Sequence, residues 1–200
     1  MVTTFLPLVL FAFASSITPG PNNIMLLASG ANFGVRRTLP HMLGISLGHA
    51  FQVSLVGIAL LSLFEELPWL QTVLLVLCAG YLLVLAWRIA QAAPPGDAPA
   101  TAQPMTALQA AAFQWVNPKA WYMSIYAQTN FAPEGPLVIS AVFVALVFAA
   151  TNLPSVAVWA WGGAQVRKLL QTPRRLRIFN TTMALCLVAS LYPMVETVLR

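Results

Sequence analysis

Long apolar runs with few charges between them constrain this chain more than any other feature of its sequence. Of its 200 residues, 59% are hydrophobic and only 8% are charged, and the mean hydropathy is +0.78. A soluble domain carries about 25% charged residues, whereas a membrane-spanning helix needs about 20 mostly apolar residues. The composition therefore predicts an all-α integral membrane protein.

Six stretches are long and apolar enough, or nearly so, to cross a membrane. They cover roughly residues 5–29, 38–64, 69–90, 105–131, 137–165 and 178–198. The first Lys or Arg of the chain is Arg36, so the first stretch lacks the basic start of a cleavable signal peptide. We therefore predict six transmembrane helices in a single transmembrane domain, residues 1–200.

Basic residues are distributed unevenly among the predicted loops. Eight of the ten Lys and Arg residues fall in the first, third and fifth loops: Arg36, Arg37, Arg88, Arg167, Lys168, Arg174, Arg175 and Arg177. The second and fourth loops carry Glu65, Glu66 and Glu134 instead. Because Lys and Arg mark cytoplasmic loops, both termini are predicted to be periplasmic. The net charge of +5 suits contact with membrane lipid, and no nucleic-acid partner is expected.

A proline-rich segment divides the chain into two halves. Residues 92–104 contain four prolines and no large apolar residue, which is typical of a flexible linker, here predicted to be cytoplasmic. Residues 1–91 and residues 105–200 hold three predicted spans each. Because an odd number of spans leaves the chain on the opposite side of the membrane, the second half must run in the reverse direction. We therefore predict two inverted three-helix repeats.

Each half begins with a span that proline interrupts. The first span contains Thr18-Pro19-Gly20-Pro21-Asn22-Asn23, and the fourth contains Asn117-Pro118-Lys119. Proline removes a backbone donor and disrupts the preceding turn, and lipid cannot satisfy the backbone groups that are released. The first and fourth helices are therefore predicted to be broken. Either break alone could be a simple kink, but paired breaks in two halves indicate a transporter site near the bilayer midplane.

The two predicted breaks supply most of the candidate site residues. Half-helix ends present N–H groups to an anion and C=O groups to a cation, and an amino acid carries one of each. The substrate-binding candidates are Pro19, Gly20, Pro21, Asn22, Asn23, Asn117, Pro118 and Lys119. The cavity-lining candidates are Gln52, Gln114, Trp115 and Asn152.

Lys119 and His49 are the candidates for proton coupling. A lysine at the centre of a span costs roughly 2.5–3.5 kcal/mol on insertion scales. Lys119 either meets a substrate carboxylate in a central cavity, or it snorkels or caps carbonyl groups released by Pro118. His49 lies deep in the second span, where it serves either the transport pathway or a helix–helix hydrogen bond. His41 is expected at the cytoplasmic interface.

The predicted spans also contain a glycine pattern and two cysteines. Gly44 and Gly48 form a G-x-x-x-G pattern, which either brings the second helix close to a broken helix or marks the contact of a homodimer. Cys78 and Cys186 lie singly within apolar runs, so no redox pair is predicted. No cofactor, metal ion or catalytic residue is expected.

These motifs resemble those of the LysE/RhtB family of bacterial amino-acid exporters. The resemblance rests on the Thr18–Asn23 motif, on Gly34-Val35-Arg36-Arg37, on Gly44–Gly48 and on Phe113-Gln114-Trp115-Val116-Asn117-Pro118-Lys119-Ala120, in that order. It implies a transporter in the bacterial cytoplasmic (inner) membrane, not an enzyme, that exports amino acids in exchange for protons.

One departure from the family pattern bears on the substrate. Many relatives carry an acidic residue after the second glycine of the second-span motif, where this chain has His49. Neutral or small polar amino acids or their derivatives are therefore expected, as for the exporters of cysteine and O-acetylserine. The alternatives are a membrane enzyme or a structural membrane subunit without transport activity.

Reporter fusions test the predicted orientation. Alkaline phosphatase fused after Asp97, in the linker, should be inactive because that enzyme matures only in the periplasm, whereas the same fusion after Glu134 should be active. Fluorescent-protein fusions should give the opposite pattern. An active phosphatase after Asp97 would overturn the orientation.

Overall fold

The structure, a computed structural model, describes residues 2–67, 69–91, 103–166, 169–170 and 172–190. Within these ranges every regular element is a helix and no strand occurs, so the all-α prediction is confirmed for the described residues. Most of the predicted linker, residues 92–102, lies outside the described residues, as do Arg167, Lys168 and residues 191–200.

The first predicted span is a bent pair of helices. Helix α1 covers Val2–Ile17 and α2 covers Pro21–Phe33, and their axes differ by 52°. Only residues 18–20 leave the helical conformation. The expected break at residues 18–23 is therefore too long, because the fixed φ of Pro21 suits the first position of a helix, and Asn22 and Asn23 lie in the first turn of α2.

The rest of the first half is two long helical segments. Helix α3, Val35–Leu55, continues through a π-helical stretch, Val56–Leu60, into the short helix α4, Leu61–Glu66. Helix α5 covers Trp69–Ala90. Their apolar parts, Val35–Leu63 and Thr72–Ala90, are long enough to cross a membrane.

The second half repeats this order with a different break. Helix α6, Ala107–Phe113, runs into a single 3₁₀ turn, Gln114–Val116, and α7 covers Pro118–Phe131. Helix α8 covers Leu137–Val166 and α9 covers Pro173–Ala189. The break was expected at residues 117–119, but Pro118 and Lys119 already belong to α7, again because proline suits a helix start.

The number of spans agrees with the prediction in part. Three helices of the described chain are apolar and long enough to cross a membrane, and the bent pair α1–α2 makes a fourth. Neither α6 nor α7 is long enough alone, since a span needs about 20 residues. The sixth span was expected at residues 178–198, but α9 begins earlier, at Pro173, and residues 191–198 lie outside the described part. The protein is a multi-pass membrane protein, and the six-span repeat stays a prediction.

Two pairs of glycines let helices of opposite halves approach closely. A Cβ built on Gly44 would lie 2.2 Å from the carbonyl oxygen of Ala107, and one built on Gly48 would lie 2.5 Å from the Cα of Ala111. The G-x-x-x-G face of α3 is thus covered by α6, the first part of the fourth span. Of the two alternatives, the close approach to a broken helix is correct, and this face is not available to a homodimer.

The second pair joins α2 to α8. A Cβ on Gly30 would lie 2.0 Å from the carbonyl oxygen of Ala160, and one on Gly163 would lie 2.0 Å from the carbonyl oxygen of Leu27. Both contacts are with backbone, which cannot rotate away as a flexible side chain can. Helix α2 is therefore held against α8 along its length, and this contact fixes the position of the first break.

Gly163→Ala should destabilise the protein by about 1–3 kcal/mol or more, because the new methyl group would overpack against backbone. The adjacent Gly162→Ala is a matched control, since its Cβ would meet only the Leu27 side chain, at 3.7 Å. That variant should be neutral, or more stable by up to about 1 kcal/mol through helix propensity. Unfolding of the purified protein in detergent measures both. Equal stability of the two variants would contradict the packing described here.

Candidate functional site

A polar cavity lies between the two halves of the chain, beside both breaks. The empty space there is about 300 Å³, a figure that includes the solvent at its open mouth. The first half contributes Ser15, Ser16, Gly20, Asn22, Asn23 and His49. The second half contributes Asn117, Lys119, Ala120, Met123, Asn152 and Val156.

The end of α1, beside the cavity, leaves carbonyl groups without partners in its own helix. The last carbonyl groups of any helix lack a partner within that helix, and here the chain turns at Pro19 and Gly20 instead of continuing. In a membrane such groups must find donors within the protein or in a water-filled cavity. The carbonyl groups in question belong to Ser16, Ile17, Thr18 and Pro19.

Side chains from two other helices, α2 and α8, donate to the carbonyl groups of Ser16, Ile17 and Thr18. The Asn23 amide donates to the carbonyl oxygens of Ser16, at 2.8 Å, and Thr18, at 2.7 Å. The Trp159 indole N–H of α8 donates to the carbonyl oxygen of Ile17 at 2.9 Å. Asn23 is 3% exposed and its hydrogen bond to the Ser16 carbonyl is buried, and together these bonds hold the end of α1 in place.

Lys119, from the opposite half, donates to the carbonyl groups of Thr18 and Pro19. Its ammonium lies 2.7 Å from the carbonyl oxygen of Thr18, 2.9 Å from Thr18 Oγ1 and 3.3 Å from the carbonyl oxygen of Pro19. Lys119 therefore caps carbonyl groups, which was one of the two alternatives predicted for it. The carbonyl groups are those of the first break, however, and not those preceding Pro118.

Gly20 provides the room for this contact. A Cβ built there would lie 2.7 Å from Cδ and 3.1 Å from Nζ of Lys119. The backbone of Gly20 is extended, with φ −179° and ψ 178°, a conformation open to any residue. A side chain at this position would therefore displace the flexible end of Lys119, whereas the backbone conformation does not itself favour glycine.

Asn22 connects the first break with the second. Its side-chain amide and that of Gln114 form two reciprocal hydrogen bonds, at 2.9 and 3.2 Å. Gln52 donates to the carbonyl oxygen of Gln114 at 3.1 Å. Gln52 and Gln114 were predicted to line the cavity, but neither is among the residues that line it, and both are fully buried.

The second break is built around Asn117. Its side-chain oxygen accepts from the backbone N–H of Lys119 at 3.2 Å and caps α7. Trp115, which was also predicted to line the cavity, is not among the residues that line it. Its carbonyl oxygen accepts from the Trp121 indole at 3.0 Å, and the two rings pack edge to face with centroids 5.6 Å apart.

His49 and Asn152 complete the wall of the cavity. His49 Nδ1 lies 3.4 Å from Gln52 Oε1, its Nε2 has no hydrogen-bond partner among the described residues, and its ring meets Phe148 edge to face at 5.1 Å. Asn152 accepts from Ser46 at 2.9 Å and donates to Ser16 at 3.2 Å. Polar side chains of both halves thus meet at the depth of the first break.

His41 is buried within the protein. It is 2% exposed and neither ring nitrogen has a partner among the described residues, and its expected place near the cytoplasmic interface stays a prediction. The helices that pack on α3 bury it, which the position of His41 near the end of an apolar run could not indicate.

Ser16 and Trp159 were not predicted as site residues, and Thr18 was given no role of its own although it opens the first break motif. Ser16 lies shortly before Pro19, and a polar residue so close to a predicted break is a usable signal. Trp159 lies seven residues after Asn152 and so on nearly the same face of α8, but no feature of the sequence indicates its contact with α1.

The chemistry of the cavity is that of a site for a zwitterion or an anion. Among the described residues that line it, Lys119 alone carries a permanent charge, and the remaining polar groups are amides, hydroxyl groups and one imidazole. Broken helices that meet at a polar cavity between two halves are characteristic of membrane transporters.

The chain belongs to the LysE type translocator family, whose model matches residues 13–190. It is similar to proteins named cysteine/O-acetylserine efflux protein. The relative from Klebsiella pneumoniae is 30% identical over 160 residues, 80% of this chain and 81% of the relative. Those from Escherichia coli K12 and Shigella flexneri are each 30% identical, over 89% and 91% of this chain and 90% and 95% of the relative. No solved structure gave a significant match.

Asn23→Leu should lower the free energy of unfolding by about 1–3 kcal/mol, because the Ser16 carbonyl would stay buried without its donor. Asn130→Leu is the control, since the Asn130 amide makes a comparable hydrogen bond, to the Tyr126 carbonyl at 2.8 Å, but is exposed. Its effect should stay within about 0.5 kcal/mol. Thermal unfolding in detergent distinguishes them, and a neutral Asn23→Leu would show that water or another group satisfies this carbonyl.

Proposed function

We propose that the protein exports neutral or small polar amino acids, or their derivatives, across the bacterial inner membrane in exchange for protons. Membership of the translocator family and the names of its relatives support amino-acid efflux. The observation that carries the proposal is the cavity beside the two breaks. Among the described residues that line this cavity, Lys119 alone carries a permanent charge.

The proposed membrane arrangement has six spans in two inverted repeats, with both termini in the periplasm. Reciprocal packing supports it: α1 of the first half packs on α8 of the second, and α6 of the second half packs on α3 of the first. Helices α5 and α9, the last of each half, pack on one another. An exchange of equivalent helices would preserve these contacts, as a two-fold axis in the membrane plane requires.

The substrate carboxylate is proposed to bind between Lys119 and the start of α2. The first backbone hydrogen bond of α2 runs from Ile24 to Gly20, so the N–H groups of Asn22 and Asn23 precede it. Such N–H groups, with the positive end of the helix dipole, favour an anion. Lys119 adds a positive charge from the second half.

The same charges disfavour a basic substrate. No Asp or Glu is among the described residues that line the cavity, and His49 stands where many relatives carry an acid. A second positive charge on a substrate side chain would meet Lys119 without a counter-charge, at reduced dielectric, where repulsion is strong. A neutral amino acid leaves little unpaired charge.

Proton exchange is proposed to use Lys119 or His49, because the described cavity wall offers no carboxylate for it. Both side chains line the cavity. The His49 Nε2 is buried and has no hydrogen-bond partner among the described residues, and water that enters the cavity during transport is proposed to bring the proton to it. Histidine is the side chain best suited to titrate near neutral pH.

Two other classes of function are less well supported. A membrane enzyme would need a nucleophile with a base and an orienting group, and a structural subunit would not need a polar cavity between broken helices. Counterflow of a labelled amino acid in proteoliposomes distinguishes transport from both. Absence of counterflow for cysteine, O-acetylserine and a panel of other neutral amino acids would contradict the proposal.

Lys119→Met should reduce export by at least about tenfold, because the loss of one charged contact to a substrate exceeds about 1.4 kcal/mol. Arg88→Met, which removes a positive charge from the exposed end of α5, is the control and should export normally. Initial rates in proteoliposomes, at equal protein content and several pH values, measure both. If Lys119→Met exports at the native rate throughout, the lysine is structural and this mechanism is wrong.

A further inference from the structure

The carbonyl oxygens at the first break form a compact acceptor site. The Thr18 carbonyl, the Pro19 carbonyl and Thr18 Oγ1 all lie within 3.3 Å of a single nitrogen atom, the Nζ of Lys119. A primary ammonium carries three N–H donors, so three acceptors around one nitrogen match it in number. The partial negative charge at the end of α1 favours a cation there as well.

The occupant of this site is attached to the opposite half of the protein. Lys119 belongs to α7, whereas its three acceptors belong to the segment after α1. The stem of Lys119 passes over Gly20, where a methyl group would collide with it. The contact thus joins the two breaks directly, and a group that replaced the lysine at these acceptors would remove this one link between the two halves.

We propose that the Thr18 and Pro19 carbonyl groups and the Thr18 hydroxyl are a binding subsite for the amino group of the substrate, which the Lys119 ammonium occupies in the resting protein. This inference rests on the proposed function and extends it from the carboxylate to the amino group. On binding, the substrate ammonium takes the place of the lysine at the three acceptors. Lys119 turns to the substrate carboxylate.

The exchange conserves charge at each position. Before binding, one ammonium lies at the acceptors, and after binding, one ammonium lies there again, while Lys119 and the carboxylate neutralise one another. Neither state leaves a charge without a partner beside the partly buried Lys119, and an unpaired charge is more costly the less water reaches it. A substrate must therefore offer both a free amino group and a free carboxylate. An amine without a carboxylate would leave Lys119 displaced and unpaired, and an N-acylated amino acid could not replace it.

A vacated subsite should bind a simple primary ammonium ion. Lys119→Ala removes the resident ammonium and leaves the three acceptors. Purified Lys119→Ala should unfold at a temperature higher by about 2 °C or more in ethylammonium chloride than in tetramethylammonium chloride of equal concentration. Tetramethylammonium carries the same charge but no N–H donor. In the native protein the two salts should give the same unfolding temperature, because Lys119 fills the site.

Further variants keep the test decisive. Adding Thr18→Val to Lys119→Ala removes one acceptor and should reduce the ethylammonium effect by at least half. Thr151→Val in the same background should not, because the Thr151 hydroxyl donates within α8, to the Val147 carbonyl at 2.8 Å. If Lys119→Ala is unstable, it is prepared in ethylammonium chloride, and recovery there but not in tetramethylammonium chloride supports the subsite.

Three results would overturn the subsite. The first is that Lys119→Ala unfolds at the same temperature in both salts, and the second is that the native protein shows as large a difference between the salts as Lys119→Ala does. The third is that Lys119→Ala cannot be recovered in ethylammonium chloride although Lys119→Arg folds. The measurement involves no amino acid. Failure of the export assay with a positive ammonium result would therefore reject the proposed function alone, and export without ammonium selectivity would reject the subsite alone.

Discussion

The carbonyl groups left at the end of α1 are the constraint on which the rest of the structure depends. A helix that stops within a membrane must find donors for these groups in the protein itself. The donors here are Asn23 of α2, Trp159 of α8 and Lys119 of α7. Three helices from both halves must therefore converge on one point, and the polar cavity lies beside it.

Close helix contacts make this convergence possible. Glycines on α2 and α8 bring their backbones together, and glycines on α3 do the same with α6, so that each broken helix is held by a long helix of the other half. The amide pair of Asn22 and Gln114 then links the two breaks. The same arrangement that satisfies the backbone also places Lys119 beside the cavity, so the residues proposed to bind the substrate also stabilise the fold.

Several parts of this structure could be predicted from the sequence, and others could not. The breaks at Pro19 and Pro118 followed from the chemistry of proline, and Lys119 stood out as a charge within an apolar run. The extent of the breaks was overestimated, because Pro21 and Pro118 start helices instead of extending the break. Gln52, Gln114 and Trp115 were predicted to line the cavity but do not. A polar group in a sequence indicates that it needs a hydrogen-bond partner, but it does not indicate which partner the group finds.

The sequence by itself determined that the chain is a helical membrane protein, that its predicted first and fourth spans are interrupted, and that one lysine lies among apolar residues. These properties depend on local composition and on the covalent structure of proline. Only the tertiary structure decided which donor meets which carbonyl: that Lys119 reaches Thr18 and Pro19, 101 and 100 residues away, and that Trp159 reaches Ile17. The physical reason is that hydrogen-bond partners of an interrupted helix are set by the packing of distant helices, and that packing is not encoded in any local stretch of sequence.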